Sequence, residues 1–189
     1  MKTGTKSVIF GAHCFFIHPW FVFAAWWKLY GFPTDPRLWV AFIVHDLGYW
    51  GKAEMDSDAG EHHVEWGARM MGNWFGPEWE NFCLLHSRYY AKKYGLPFSR
   101  LCVADKLAIA LEPWWFYLPR VIASGEVWEY LAYARGQTAT NHGDNAESDY
   151  AKQSATMRGW HRAMCNYLIK WVAEHKDGKQ DTWTKAAQS

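Results

Sequence analysis

The sequence predicts an all-α fold, a single-domain helical bundle, on three observations. No stretch alternates apolar and polar residues with the period of a strand. Apolar residues recur instead at three- and four-residue spacing, the pattern of helices with one buried face. Proline, glycine, serine and aspartate punctuate the chain at intervals suited to short helices. The length, 189 residues, suits one domain with a real core. No internal repeat appears, and the loop-like stretch 136–146 leaves too few residues beyond it for a second core. One domain is therefore expected over 1–189, with its core at about 8–135 and a long helix at about 147–175.

Taken in order, Met1 to Ser7 is a polar start and Val8 to Phe16 an apolar segment of open structure. His18-Pro19 opens a helix reaching about Tyr30, since proline is tolerated in a first turn. The stretch from Gly31 to Pro36 is a loop, and Asp35-Pro36 supplies a cap and first position for a helix ending at His45-Asp46. Leu38 to Val44 carries no charge and reads as buried on most faces, and Gly48 lets the chain turn sharply away. Tyr49 to Gly60 is a polar connection. Helices are expected over Glu61–Phe75 and from Pro77 to Tyr94, stopped by Gly76-Pro77 and Gly95. Ser99 caps a helix ending near Glu112. Pro113 to Ala123 and a stretch from Glu126 to about Arg135 follow.

Composition excludes several classes. A net charge of +1 offers no electrostatic case for bulk nucleic acid as partner. Half the residues are hydrophobic, and 14 are tryptophan; core packing explains most of that excess, with a pocket for a planar ligand as the sharper alternative. Cys14, Cys83, Cys102 and Cys165 show no paired spacing and read as reduced, buried residues of a cytoplasmic protein. Val8 to Trp27 lacks charge over a length that a membrane span needs, but His13, His18 and Pro19 interrupt it, so no membrane is expected.

The chemistry gathers at His45-Asp46, where an apolar run ends in two polar side chains. Burying Asp46 unpaired would cost several kcal/mol, ~2–7 even for a neutral polar group, so the pair needs a partner and a cation serves both. Other donors arrive in order. His63 falls on one helical face with Gly67, Met70 and Trp74, whereas His62 shares a face with Trp66 and Arg69. His86 lies with Phe82, Tyr89 and Tyr90, and Asp105 with Leu101, Cys102, Ala108 and Ile109. A carboxylate on an apolar face must be paired or metal-bound. Singly, each has a plainer reading: an inward histidine is commonly hydrogen-bonded in a core, and Asp105 could pair with a lysine or arginine. Together, His18, His45, Asp46, His63, His86 and Asp105 form an ordered set of imidazoles and carboxylates. Such a set suits a divalent transition metal (Mn, Fe, Co, Ni or Zn), one or two ions per chain.

In this order the residues resemble the HD-domain superfamily of metal-dependent phosphohydrolases and related di-iron enzymes. His18, His45-Asp46 and Asp105 match its H…HD…D pattern, and Ala104-Asp105-Lys106-Leu107 looks like the segment around its last aspartate. His63-Val64-Glu65-Trp66-Gly67-Ala68 is similar to the segment of members that carry two metals, with His86 as their next histidine. The chain departs from the family in Pro19 directly after His18, and in Tyr49 where many members have a lysine. The resemblance implies that His18, His45, Asp46 and Asp105 hold one ion and that Asp46 bridges to a second held by His63 and His86. It implies hydrolysis of a nucleotide-like phosphate ester by a metal-bound hydroxide. Arg88, Lys92 and Lys93 are then candidates for phosphate contacts, against the alternative of a solvated basic face. Asp46 is a catalytic candidate, with Lys52 and Glu54 as sources of an acid or base; Asp56, Asp58 and Glu61 stand beside them. The partner is a small-molecule phosphate ester, and a homo-oligomer is left open. Members of the superfamily with all six ligands also include mixed-valence di-iron oxygenases that cleave C–C or C–P bonds. A non-catalytic helical protein is the remaining alternative.

Overall fold

The computed structural model describes residues 1–55, 58–132 and 156–178, apart from the side chains of 58 and 59. Every regular element among them is helical, as the sequence predicts. In chain order they are α1 (Thr3–Phe10), α2 (His18–Tyr30), α3 (Pro36–Val44), a 3-10 turn (Leu47–Tyr49), α4 (Asp58–Glu61), α5 (Val64–Phe75), α6 (Pro77–Leu84), α7 (Arg88–Tyr94), α8 (Arg100–Leu111), α9 (Trp114–Ser124) and α10 (Met157–His175). Residues 126–132 are helical too.

Local chemistry sets the ends that matter for the site. Asp35 accepts a hydrogen bond from the Arg37 amide at 2.9 Å, and Pro36 fills the first turn, so α3 starts where the sequence places it. Gly95 adopts a left-handed conformation, φ 63°, and closes α7. The centre of the fold is α8, which is buried at Leu101 through Asp105 and again at Leu107 and Ala108. It packs against α2 and α10, while α3 lies on α5. Val22, Phe42, Met71, Leu101 and Trp171 anchor the main core. Each such side chain stabilises the fold by about 1.5–3 kcal/mol relative to exposure. A smaller core joins Tyr117, Val121, Val127 and Trp160.

Several expectations are corrected. Most of the polar start is helical: Thr3–Phe10 is a helix, with Ser7 and Val8 buried. The expected helix over Glu61–Phe75 breaks at His62-His63, and the one from Pro77 to Tyr94 breaks at Leu85–Ser87, where Ser87 caps α7 by accepting from the Tyr90 amide. Periodicity carries across such breaks because the flanking turns are themselves nearly helical, His63 having φ −60° and ψ −33°. Within Leu38–Val44, Ala41, Phe42 and Val44 are buried, Leu38 to Val40 half-buried and Ile43 alone exposed. Gly48 has no special backbone angle. Its lack of a side chain matters because a Cβ there would fall 1.8 Å from the His63 carbonyl oxygen. Tryptophan does not serve the core alone, since Trp20, Trp27, Trp50 and Trp115 are each more than half exposed. Among the described residues no helix is long and apolar enough to cross a membrane. The four cysteines are free, with Cys165 half-buried and the others buried. The helix expected from Glu147 is described from Met157 onward; its first residues, the loop 136–146 and Arg135 lie outside the described residues.

Candidate metal centre

Six side chains from separate parts of the fold meet in one buried cluster. His18 stands at the start of α2, His45-Asp46 follow α3, His63 precedes α5, His86 lies between α6 and α7, and Asp105 projects from the middle of α8. All six are buried. They divide into two donor groups, His18, His45, Asp46 and Asp105 in one and Asp46, His63 and His86 in the other. Within each, the candidate ligand atoms lie within 4.8 Å of one another.

Asp46 joins the groups through its two oxygens. Oδ2 lies 3.1 Å from His45 Nε2 and 3.4 Å from His18 Nε2. Oδ1 faces His86 Nε2 at 3.3 Å and His63 Nε2 at 3.5 Å. Asp105 Oδ1 completes the first group, 2.9 Å from His18 Nε2 and 3.7 Å from His45 Nε2. Its other oxygen takes the Lys106 ammonium at 3.0 Å.

Three imidazoles are oriented in the same way. The Nδ1 of His45 donates to the Phe42 carbonyl at 3.1 Å, that of His63 to Gly60 at 2.7 Å and that of His86 to Cys83 at 2.6 Å. In the neutral ring each bond places the proton on Nδ1 and leaves Nε2 as the ligating atom, the arrangement by which outer partners orient metal-ligating histidines. Tyr49 stacks on His63, centroids 3.9 Å apart. Neither His45 Nε2, His86 Nε2 nor Asp46 Oδ2 makes a hydrogen bond among the described residues, although all are buried. Buried polar atoms without partners are costly. A cation in the first donor group would satisfy His45 Nε2 and Asp46 Oδ2, and one in the second would satisfy His86 Nε2, so the residues fit metal ions.

The electrostatics agree with that fit. Burial opposes ionisation of Asp46 and Asp105, but His45 beside Asp46 and Lys106 beside Asp105 outweigh it and hold both carboxyls well below the usual range. Burial also disfavours charge on His45, yet Asp46 and Asp105 reverse this and push it up to about 10. In the metal-free site a proton on His45 thus stands in for a cation. His63 goes the other way: burial, which Asp46 does not offset, pulls it down to about 3, leaving a neutral imidazole ready to ligate.

His62 turns outward, its Nδ1 2.7 Å from Glu65 Oε1 and 2.6 Å from the Tyr90 hydroxyl. Of the expected acid–base sources, Glu54 is exposed, and Lys52 is tied through its backbone carbonyl to the Gly4 amide at 3.1 Å. Among the described residues neither side chain forms an ion pair, and Lys52 packs against Gly4 of α1. Glu61 accepts from Ser87 at 3.3 Å, and Asp56 lies outside the described residues. Of the expected phosphate contacts, Arg88 donates to the Tyr167 hydroxyl at 3.1 Å and lies over the Trp171 ring. Lys93 is exposed over Tyr89 and Tyr90, and Lys92 is half-buried on the same helix. The structure thus directs Arg88 to α10 and Lys93 to tyrosine faces.

Sequence reasoning missed two residues at the cluster. Lys106, the neighbour of Asp105 in the chain, is the lysine that holds it. His13, read as an interruption of an apolar run, points its Nε2 at Asp46 Oδ2 from 4.0 Å. The adjacency of Lys106 to Asp105 was a usable signal; for His13 there was none beyond a histidine in an uncharged segment. Comparison of the chain with models of known families, with curated proteins and with solved structures found no match.

Proposed function

We propose that this protein is a metal-dependent hydrolase of the HD-domain type, acting on a small, nucleotide-like phosphate ester. The observation that carries the reading is a carboxylate, Asp46, shared between two histidine-bearing donor groups with a cation, Lys106, at their edge. His18, His45, Asp46 and Asp105 would hold one divalent transition ion, and Asp46, His63 and His86 a second. Ions held there lower the pKa of a bound water and polarise a phosphoryl oxygen. The chain's own residues supply the rest. Asp46 and Asp105 remain ionised, the imidazoles present fixed Nε2 atoms, and the Lys106 ammonium suits an anionic substrate. In the overall reaction the oxygen of water bonds to phosphorus, the ester P–O bond breaks, and a proton passes to the departing oxygen.

The completeness of both donor groups equally favours a second reading, a di-iron oxygenase cleaving a C–C or C–P bond. An anaerobic screen separates the two. Nucleotides and simple phosphate esters are offered with Mn²⁺, Co²⁺, Fe²⁺ or Mg²⁺, and release of phosphate or pyrophosphate is followed. Turnover without oxygen that disappears in Asp46→Ala supports hydrolysis. Activity that requires reduced iron and dioxygen, with no ester cleaved, replaces it with the oxygenase.

A further inference from the structure

We infer that His13 orients the water that attacks the ester, and that Glu126 and Ser7 set the ring for that task. The inference rests on the hydrolytic reading of the same centre. His13 belongs to neither donor group. Its side chain is 13% exposed and sits in the turn between α1 and α2, with Tyr49 against one face of the ring. The 4.0 Å between its Nε2 and Asp46 Oδ2 is too long for a hydrogen bond. The two atoms are close enough for one water, lying off the line between them, to bond to both.

What lies behind the ring is a built support. Glu126 is fully buried and accepts from the Ser7 hydroxyl at 2.7 Å, the Ala12 amide at 2.6 Å, the Ser124 hydroxyl at 2.7 Å and the Tyr130 hydroxyl at 3.2 Å. A Cβ on Gly11 would fall 2.1 Å from Glu126 Oε1, so glycine is needed for the turn to close on the carboxylate. Arg120 holds the same turn from outside by donating to the Gly11 carbonyl at 2.7 Å. A buried carboxylate with so many donors is an expensive way to shape a surface turn, unless the residue it carries must be held in place.

Proton counting then sets the tautomer. The Ser7 hydroxyl has one proton, and it goes to Glu126. Its oxygen can only accept from His13, taking the backbone amide at 3.3 Å and Nδ1 at 2.9 Å. In the neutral ring Nδ1 is therefore the protonated nitrogen. Nε2 carries its lone pair toward the centre, where it accepts a hydrogen bond from water and directs the oxygen toward phosphorus. Glu126, Ser7 and His13 thus repeat, with a hydroxyl interposed, the logic of a base oriented by a carboxylate.

The test uses full-length protein loaded with Zn²⁺ or Mn²⁺. Three measurements are made on wild type, His13→Ala, Glu126→Gln and Ser7→Ala: bound metal per chain, kcat and KM for the best ester of the screen, and the ¹⁵N resonances of the His13 ring in the Zn²⁺ form of the histidine-containing proteins at a pH where the ring is neutral. His13→Ala should keep the wild-type metal content, change KM less than threefold and lose about 100-fold in kcat, the scale of a lost acid–base or water-orienting group. Added imidazole should restore part of that loss. Ser7→Ala, the mildest change to the fold, should mix the two tautomers and lower kcat with metal retained. An Nε2–H tautomer in wild type, an unchanged kcat in His13→Ala, or a metal loss as large as that of His63→Ala would overturn the inference. Loaded wild type that cleaves no ester overturns the hydrolytic reading and the attacking water with it. A wrong tautomer or a silent His13→Ala in an active enzyme overturns His13's part alone.

Discussion

The two halves of the metal cluster are built differently. His18, His45, Asp46 and Asp105 come from the start of α2, the turn after α3 and the interior of α8, three helices that contribute to the main core. His63 and His86 come from the breaks between α4 and α5 and between α6 and α7. The first group has two donors, His18 and Asp105, on packed helices, whereas His45, His63 and His86 all sit in turns and are each set by one Nδ1-to-carbonyl bond. A donor on a packed helix is placed by many contacts; a donor in a break is placed by few. The first group should therefore keep its geometry when the second loosens, and the two ions should differ in affinity.

The largest expected effect lies where the halves meet. Asp46→Ala removes a ligand from both groups and should abolish binding of both ions, measured by elemental analysis after gel filtration, with turnover lost in parallel. Retention of one tightly bound ion in that variant would break the picture of a shared carboxylate.

Next in size is the contrast between single-group variants. Asp105→Ala should lose the tighter ion, while His63→Ala should lose only the weaker and His62→Ala neither. Loss of an outer partner of a ligand commonly costs about 10–100-fold in affinity, and loss of the ligand itself should cost at least as much. Titration with Mn²⁺ or Zn²⁺ checks this, and equal losses from Asp105→Ala and His63→Ala would show that the halves are not independent. When an ion is bound, its N and O ligands should sit at about 2.0–2.2 Å.

Two glycines sharpen the comparison at smaller cost. A Cβ at Gly48 would press on the His63 carbonyl from 1.8 Å, whereas one at Gly67 would meet the Val44 carbonyl oxygen at 2.4 Å and His45 Cα at 3.0 Å. Gly48→Ala should weaken the His63–His86 group and Gly67→Ala the His45 group. Each should also destabilise the fold by about 1–3 kcal/mol in urea unfolding, the range for overpacking.

The smallest effect concerns pH. Burial opposes the charge of Glu126, but the neighbouring His13 and hydrogen bonds from Ser7 and Ser124 outweigh it and lower its pKa below the ordinary carboxylate value. The sign follows: its contribution is present above the unfolded value, about 4.3, and is lost as pH falls through the lower folded value. Metal-free wild type should therefore lose stability on acidification more steeply than Glu126→Gln. Parallel profiles in circular dichroism melts would remove Glu126 as a source.

The all-α class, the start of α2 at His18, the start of α3 at Pro36 and the inward face of Asp105 were legible in the sequence. Each depends on near neighbours: a capping residue, a proline in a first turn, a carboxylate among apolar residues one helical turn apart. The meeting of His18, His45, Asp46 and Asp105 could be expected only through the resemblance of their order to a family pattern, because no local rule brings α2, α3 and α8 together. The tertiary structure decided what depends on distant contacts. Gly48 is small because His63 passes over it, not because the chain turns there. Arg88 is taken by Tyr167 on α10, 79 positions away. Glu126 reaches Ser7 across 119 positions and so brings His13 to the centre. Residue type and periodicity report which side of a helix prefers burial; they carry no record of which distant element that side will meet.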